Sequence, residues 1–164
     1  MISKKNKNSN IISNVVSNKK AYLDFFIEKI FEAGLILQSW EVKSLRLGIV
    51  DISTSYVSIN KGEAFLYGVC FKKLITVIKN VENKHNCNAC KLLLNKHEIQ
   101  FLENKISKKG YTIIPLSIFL KKSWFKLKLG LAIGKKNKDK RLCIKKRDWI
   151  IEKNRIIKNS MKNN

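Results

Sequence analysis

The chain is poor in several things that would narrow its chemistry. It has one proline, Pro115, and two histidines, His85 and His97, in 164 residues, and 12 acidic side chains against 34 basic ones. A single proline excludes polyproline and collagen-like designs. Two histidines in unrelated segments leave no His-based metal centre and no nucleophile–base pair. The acids are scattered, without a D-x-D or a paired glutamate. Gly134-Lys-Lys lacks the upstream glycine that a phosphate-binding loop needs. No run approaches the roughly 20 apolar residues of a bilayer-crossing helix. Asn and Ser interrupt the segment after Lys4, Lys5 and Lys7, so no signal-peptide core follows them. A cytoplasmic protein with no membrane partner is expected, with neither catalysis nor a cofactor.

Positive charge is what the chain has in abundance. The net charge is +22 and the pI about 10.0, while a hydrophobic fraction of 45% suffices for a core. The excess is uneven. Residues 1–20 hold five Lys and no acid, residues 21–133 hold 17 bases and nine acids, and residues 134–164 hold 12 bases and three acids. Fields of this kind attract polyanions and speed association with them. Lys outnumbers Arg 30 to four, beside 17 Asn and 22 Ile, a composition that A·T-rich coding also produces. Mutational drift alone does not explain why the charge collects at both ends.

The four cysteines are Cys70, Cys87, Cys90 and Cys143. Cys87 and Cys90 form a lone C-x-x-C beside His85. A zinc site needs four ligands, usually from a second pair, and none is in view. Reduced thiols and no bound metal are the expectation.

Three regions follow from the pattern. Residues 1–18 are polar and aperiodic, and read as a disordered basic extension. Residues 19–133 read as the folded body. Its strands cover Leu23–Glu32 with Leu35–Leu37 beyond Gly34, then Ser55–Ile59, Glu63–Phe71, Tyr111–Leu120 and Trp124–Ile133. Glu41–Leu47 reads as a short helix ended by Gly48, with Val42, Leu45 and Leu47 inward. Asn95–Lys109 reads as a longer helix, with Asn95 and Glu98 as a capping box and Ile99, Leu102 and Ile106 as its core stripe. Asn60-Lys-Gly62 is a hairpin turn, Pro115 marks a bulge or an edge, and residues 79–90 form a loop. About six strands with one good helix and no βαβ rhythm predict a mainly β protein with short helices, an OB-fold-like closed barrel. Residues 134–164 read as a basic tail, disordered when free and helical against a partner.

RNA binding suits these features best. Lys126 and Lys128 share one sheet face. Lys19 and Lys20, with Lys43 and Arg46, add cations able to meet phosphates without reading sequence. Tyr22, Trp40 and Trp124 are candidates to stack on unpaired bases, with core packing the simpler role for Trp40. Glu32 stands out as an acid among bases. A carboxylate accepts hydrogen bonds from base amino groups, or else pairs with a neighbouring Lys.

Several stretches are more specific than composition. They are Asn18-Lys-Lys-Ala21, Phe31-Glu-Ala-Gly34, Glu41-Val-Lys-Ser-Leu-Arg46, Ser55-Tyr56, Gly62-Glu-Ala-Phe-Leu66 and Lys91-Leu-Leu-Leu-Asn95. Gly134-Lys-Lys136, Asp139-Lys-Arg141 and Ile144-Lys145 follow in the tail. In this order the chain resembles the small protein B family, the SsrA-binding proteins of bacterial trans-translation, from Asn18 to Asn159. The resemblance implies an OB-fold barrel, one per RNA, that holds the tRNA-like domain of tmRNA, with Glu32, Leu93, Asn95 and Lys126 at the contact. It implies a tail that enters the small-subunit decoding centre and the empty mRNA channel of a stalled ribosome. Asp139, Lys140 and Arg141 are the motif needed there, and Trp149, Ile156 and Ile157 its apolar positions. Lys135, Lys136, Lys138, Lys145 and Arg147 complete the expected ribosome-contacting set.

Two departures stand out. Asn86-Cys-Asn-Ala-Cys90 replaces the family's basic D-P-x-R-x-R segment, and Lys138 replaces a histidine common before Asp-Lys-Arg. The competing classes are a general OB-type ribosome-associated structural protein, which would copurify with all ribosomes, and a zinc-dependent nuclease built on Cys87 and Cys90.

Overall fold

The computed structural model describes residues 13–72, 89–108 and 110–162. The strands are β1 Ser13–Ser17, β2 Phe25–Leu35, β3 Val50–Asp51, β4 Tyr56–Asn60, β5 Glu63–Tyr67, β6 Cys70–Phe71, β7 Cys90–Leu93, β8 Tyr111–Lys121 and β9 Trp124–Gly134. The helices are α1 Lys19–Asp24, α2 Ser39–Arg46, α3 Lys96–Ile106 and α4 Asn137–Lys162.

Antiparallel pairing runs β8–β4–β5–β7–β2–β9, and β9 returns to β8, so six strands close a ring. This closure is what the expected barrel requires, since every ring strand then has two neighbours. The ring is uneven. The β8–β9 hairpin pairs from Tyr111–Ile133 to Lys121–Trp124, whereas β4 meets β8 through Val57–Ile113. Beyond that seam β8 pairs with β1 instead, Ser17 against Ser117 and Ser13 against Leu120. β3 and β6 form a separate two-stranded ribbon. The interior is filled by Phe31, Ala33, Leu66, Leu92, Leu127, Leu129 and Leu131, with Leu102 of α3 packed in among them.

Local chemistry explains the elements. The β4–β5 turn holds Lys61 and Gly62 at φ 51° and 75°, a primed turn that matches strand twist. The β8–β9 turn does the same at Lys122 and Ser123, φ 57° and 98°, without any glycine. A bulge falls between Pro115 and Ser117, where the missing amide interrupts the ladder. α3 carries the expected capping box, the Glu98 carboxylate accepting the Asn95 amide at 3.0 Å.

Several elements differ from the sequence expectation. Residues 13–17 of the expected disordered extension are the strand β1, because β8 is longer than β4 and leaves a free edge; residues 1–12 lie outside the described residues. Residues 19–24 form a helix, so Leu23 and Asp24, expected to open the first strand, end α1 instead. Buried Asn18 caps it, accepting the Ala21 amide at 3.1 Å and donating to the Ile52 and Pro115 carbonyls at 3.2 Å. The expected strand 63–71 breaks at Gly68, φ 73°, where an added Cβ would sit 3.2 Å from the Thr54 carbonyl oxygen. Cys90 belongs to strand β7 rather than to a loop, and residues 79–88 of that loop lie outside the described residues. Leu47 is exposed, one residue past α2. The tail, expected to be disordered when free, is one continuous helix here. Residues 137–162 contain neither proline nor glycine, and the body holds the helix's first turn, which offsets the cost of nucleation.

Candidate nucleic-acid interface

Strand alternation sorts β2 and β9 into two faces. Phe31, Ala33, Leu127 and Leu129 point into the barrel and are buried. Glu32, Gly34, Lys126 and Lys128 therefore point out. In the register, Glu32 lies opposite Lys128 and Gly34 opposite Lys126, while β7 sets Leu93 against Gly34 on its other side. Glu32, Leu93, Lys126 and Lys128 are thus one exterior patch centred on Gly34, where a Cβ would approach that of Leu93 to 3.2 Å. The glycine lets β7 and β2 lie close and keeps the middle of the patch flat. Asn95 follows two residues after Leu93, exposed at the cap of α3.

Around the patch, the Glu32 carboxylate takes Lys121 at 3.3 Å. The Lys128 ammonium stands 5.2 Å from the Phe119 ring centroid. Trp124, opposite Lys121 at the hairpin tip, is 75% exposed. Continuing outward-facing along β9, Gly130 and Ala132 meet Ile114, Leu116, Ile27 and Ala21 of α1 in a second small core. That packing seats α1 on the same side of the barrel as Lys126 and Lys128, with Lys19, Lys20 and Tyr22 exposed on it.

Lys43 and Arg46 stand elsewhere. They are exposed on α2, whose inner side buries Glu41, Ser44 and Leu45, and no described contact joins them to the β2–β9 face. Trp40 is half-buried, edge-on to Phe71 at 6.0 Å, as a packing residue would be.

The tail projects from a defined root. The Lys135 amide donates to the Asp24 carbonyl at 2.9 Å, its ammonium to the Tyr22 carbonyl at 2.9 Å, and Lys140 pairs with the Asp24 carboxylate at 3.0 Å. Lys136, Lys138, Arg141 and Lys145 are exposed and Asp139 is half-buried on the first turn. Arg147 meets the adjacent Asp148, and Trp149, Ile156 and Ile157 are exposed. The sequence reading did not single out Asp24, Lys121 or Phe119. The one available signal was Asp24 as the first acid of the chain, four residues after the Lys19-Lys20 pair.

The titratable groups point to structure rather than chemistry. Burial, and then the nearby Glu41 charge, push the Cys90 thiol up to about 12, the opposite of an activated thiolate. Burial also raises the Glu41 carboxyl, against the Gln38 amide that it accepts at 2.7 Å. The Lys105 ammonium beside Glu28 holds that carboxyl below its usual range and ties α3 to β2. Among the described residues no three His, Cys, Asp or Glu side chains converge on a metal site. His85 and Cys87 lie outside the described residues, and His97 is exposed on α3. No helix among the described residues is long and apolar enough to cross a membrane.

This outer patch and projecting basic helix fall inside one family pattern. The family described as "SmpB: SmpB protein" matches residues 15–159. The chain belongs to the SmpB family. The match begins within β1 and ends near the close of α4, so body and tail are both part of what defines an SmpB protein. The chain is 46% identical over 149 residues to SsrA-binding proteins of Buchnera aphidicola subsp. Acyrthosiphon pisum, strains Tuc7 and 5A, covering 89% of this chain and 90% of each relative. A solved structure described as "tmRNA-SmpB: a journey to the center of the bacterial ribosome" is similar with a TM-score of 0.61 and 34% identity, covering 79% of this chain and 93% of that one.

Proposed function

We propose that this SmpB-family chain is a non-enzymatic adaptor that binds tmRNA and delivers it to stalled ribosomes for trans-translation in the bacterial cytoplasm. One observation carries the reading: Glu32, Leu93, Lys126 and Lys128 share one outer barrel face, while a separate basic helix leaves the body at Asn137. On this reading the barrel grips the tRNA-like domain by shape, with Lys19, Lys20, Lys126 and Lys128 on phosphates and Leu93, Asn95 and Tyr22 beside unstacked bases. Lys43 and Arg46 belong to a different contact on the same RNA. The tail, from Lys135 to Ile157, supports the second engagement, with the decoding centre and the vacant mRNA channel.

The alternative, a general ribosome-associated protein that acts by charge alone, is favoured only by the net charge of +22. Titration against folded tmRNA and an unrelated RNA of equal length, at two salt concentrations, separates the two. The adaptor reading expects a preference for tmRNA that persists as salt weakens the phosphate term. Equal binding that disappears with salt would overturn it.

A further inference from the structure

The β8–β9 hairpin outruns β2 and ends in a tryptophan. β2 pairs with β9 as far as Lys126, while the hairpin pairs on to Lys121 and Trp124. Two adjacent aromatics at this end go opposite ways. Phe125 turns inward and packs against the main core. Trp124 turns outward, to the side of Lys126 and Lys128. It is 75% exposed, more than any other large apolar side chain among the described residues. No ring, cation or hydrogen-bond partner among those residues engages its indole. Trp40, by contrast, donates to the Gln38 side chain at 2.6 Å and packs edge-on to Phe71. The turn before Trp124 is strained. Lys122 and Ser123 lie at φ 57° and 98°, where asparagine and glycine are the natural occupants. Asn-Gly would relieve that strain and would take the Lys122 charge from the tip.

We infer that Trp124 stacks on an unpaired base of the bound RNA, with Lys122 and Lys126 meeting the phosphates on either side of that base. Lys122 is exposed at the turn, and Lys126 lies about 7 Å along the strand on the same face. An aromatic face between two cations suits a flat π-system joined to phosphodiesters. The base must be unpaired, because a base inside a duplex already has both faces covered. Lys121, opposite Trp124, holds the Glu32 carboxylate at 3.3 Å, so the indole stands at the rim of the Glu32 patch. Phe125 anchors the tip from the inside, so stacking orders little that is not already ordered. The indole N–H remains free to donate to a base or phosphate oxygen. This inference deepens the adaptor reading and rests on it only for which RNA is bound.

The test uses full-length protein with Trp124→Ala, Trp124→Leu and Trp124→Phe. Each is titrated with tmRNA, with a single-stranded oligoadenylate of about 12 nucleotides, and with a blunt RNA duplex of similar phosphate count. Trp124→Ala and Trp124→Leu should bind tmRNA and the single strand about five- to twentyfold more weakly, and Trp124→Phe should stay within about threefold of the parent. Duplex binding should change by less than about twofold, and the salt slope should not change, because no charge is removed. In protein labelled with 5-fluorotryptophan, the fluorine resonance that Trp124→Phe deletes should shift when the single strand is added. Melting temperatures within about 3 °C of the parent would show that the fold is intact. Unchanged single-strand affinity in Trp124→Ala would overturn the inference, as would an unmoved resonance. An equal loss on the duplex would overturn it too, since paired bases offer no free face. If the parent shows no preference for tmRNA, the adaptor reading fails, and the comparison of single strand with duplex still decides whether Trp124 stacks.

Discussion

Glu32 lies directly opposite Lys128 across the β2–β9 ladder, yet its carboxylate turns to Lys121 on β8 at 3.3 Å. The Lys128 ammonium instead stands over the Phe119 ring. The patch thus holds a partly exposed carboxylate, oriented by one lysine, beside cations that remain available. An exposed pair of this kind is worth roughly 0–1 kcal/mol, too little to keep Glu32 from a better donor.

Glu32→Ala is therefore expected to weaken tmRNA binding by about three- to tenfold, although it removes a negative charge, because a base-edge contact is worth roughly 1–3 kcal/mol at best. Lys126→Ala should behave differently, weakening binding to every RNA and lowering the salt slope by about one. Titrations of both variants against tmRNA and an unrelated RNA check this. Tighter binding by Glu32→Ala would mean that the carboxylate only repels phosphate.

Truncation before Asp139 should leave tmRNA affinity within about threefold at moderate salt, since the lost charges lie outside the β2–β9 patch. Tagging of stalled chains should be abolished. Parallel binding and reconstituted tagging assays make the comparison, and equal loss of both would contradict a division between body and tail.

Asn18 joins three segments from a buried position. It bonds the Ile52 and Pro115 carbonyls and the Ala21 amide through its side chain, and the Leu116 carbonyl through its own amide. Asn18→Ala removes three buried side-chain hydrogen bonds, the cap on the Ala21 amide among them, and should cost about 2–3 kcal/mol. Urea unfolding with an unchanged m-value is the measurement, and a loss under about 0.5 kcal/mol would refute this role.

Glu41 should make stability pH-dependent. Burial raises its carboxyl above the ordinary value of 4.5, so the folded state binds that proton more tightly than the unfolded chain. Its contribution is then fully present below about pH 4.5 and is lost as pH rises through the folded value. Glu41→Gln keeps an oxygen to accept the Gln38 amide and removes the buried charge. Between pH 4 and 7 the variant should gain on the parent, a trend read from chemical denaturation at several pH values. A constant difference across that range would sink the argument.

Much of the body was legible in the sequence because its signals are local. Asn95 and Glu98 sit at capping-box spacing, Asn60-Lys-Gly62 has turn chemistry, and Leu127 and Leu129 alternate with Lys126 and Lys128; each corresponds to an element of the fold. Elements that depend on a distant partner were missed. Ser13–Ser17 has no pattern of its own and is a strand only because β8 outruns β4. Cys90 reads as the end of a polar loop, and the strand Cys90–Leu93 forms only because β5 and β2 flank it.

The sequence by itself determined the charge, the alternation that sets Lys126 and Lys128 on one face, and the motifs that mark the family. Those properties are carried by composition and by neighbours a few residues apart. Only the tertiary structure decided that Glu32, Gly34, Leu93 and Lys126 share a surface, that Lys43 and Arg46 stand off it, and that Lys140 is held by Asp24. Strand register and barrel closure bring together residues up to about a hundred positions apart, and no local preference encodes such a meeting.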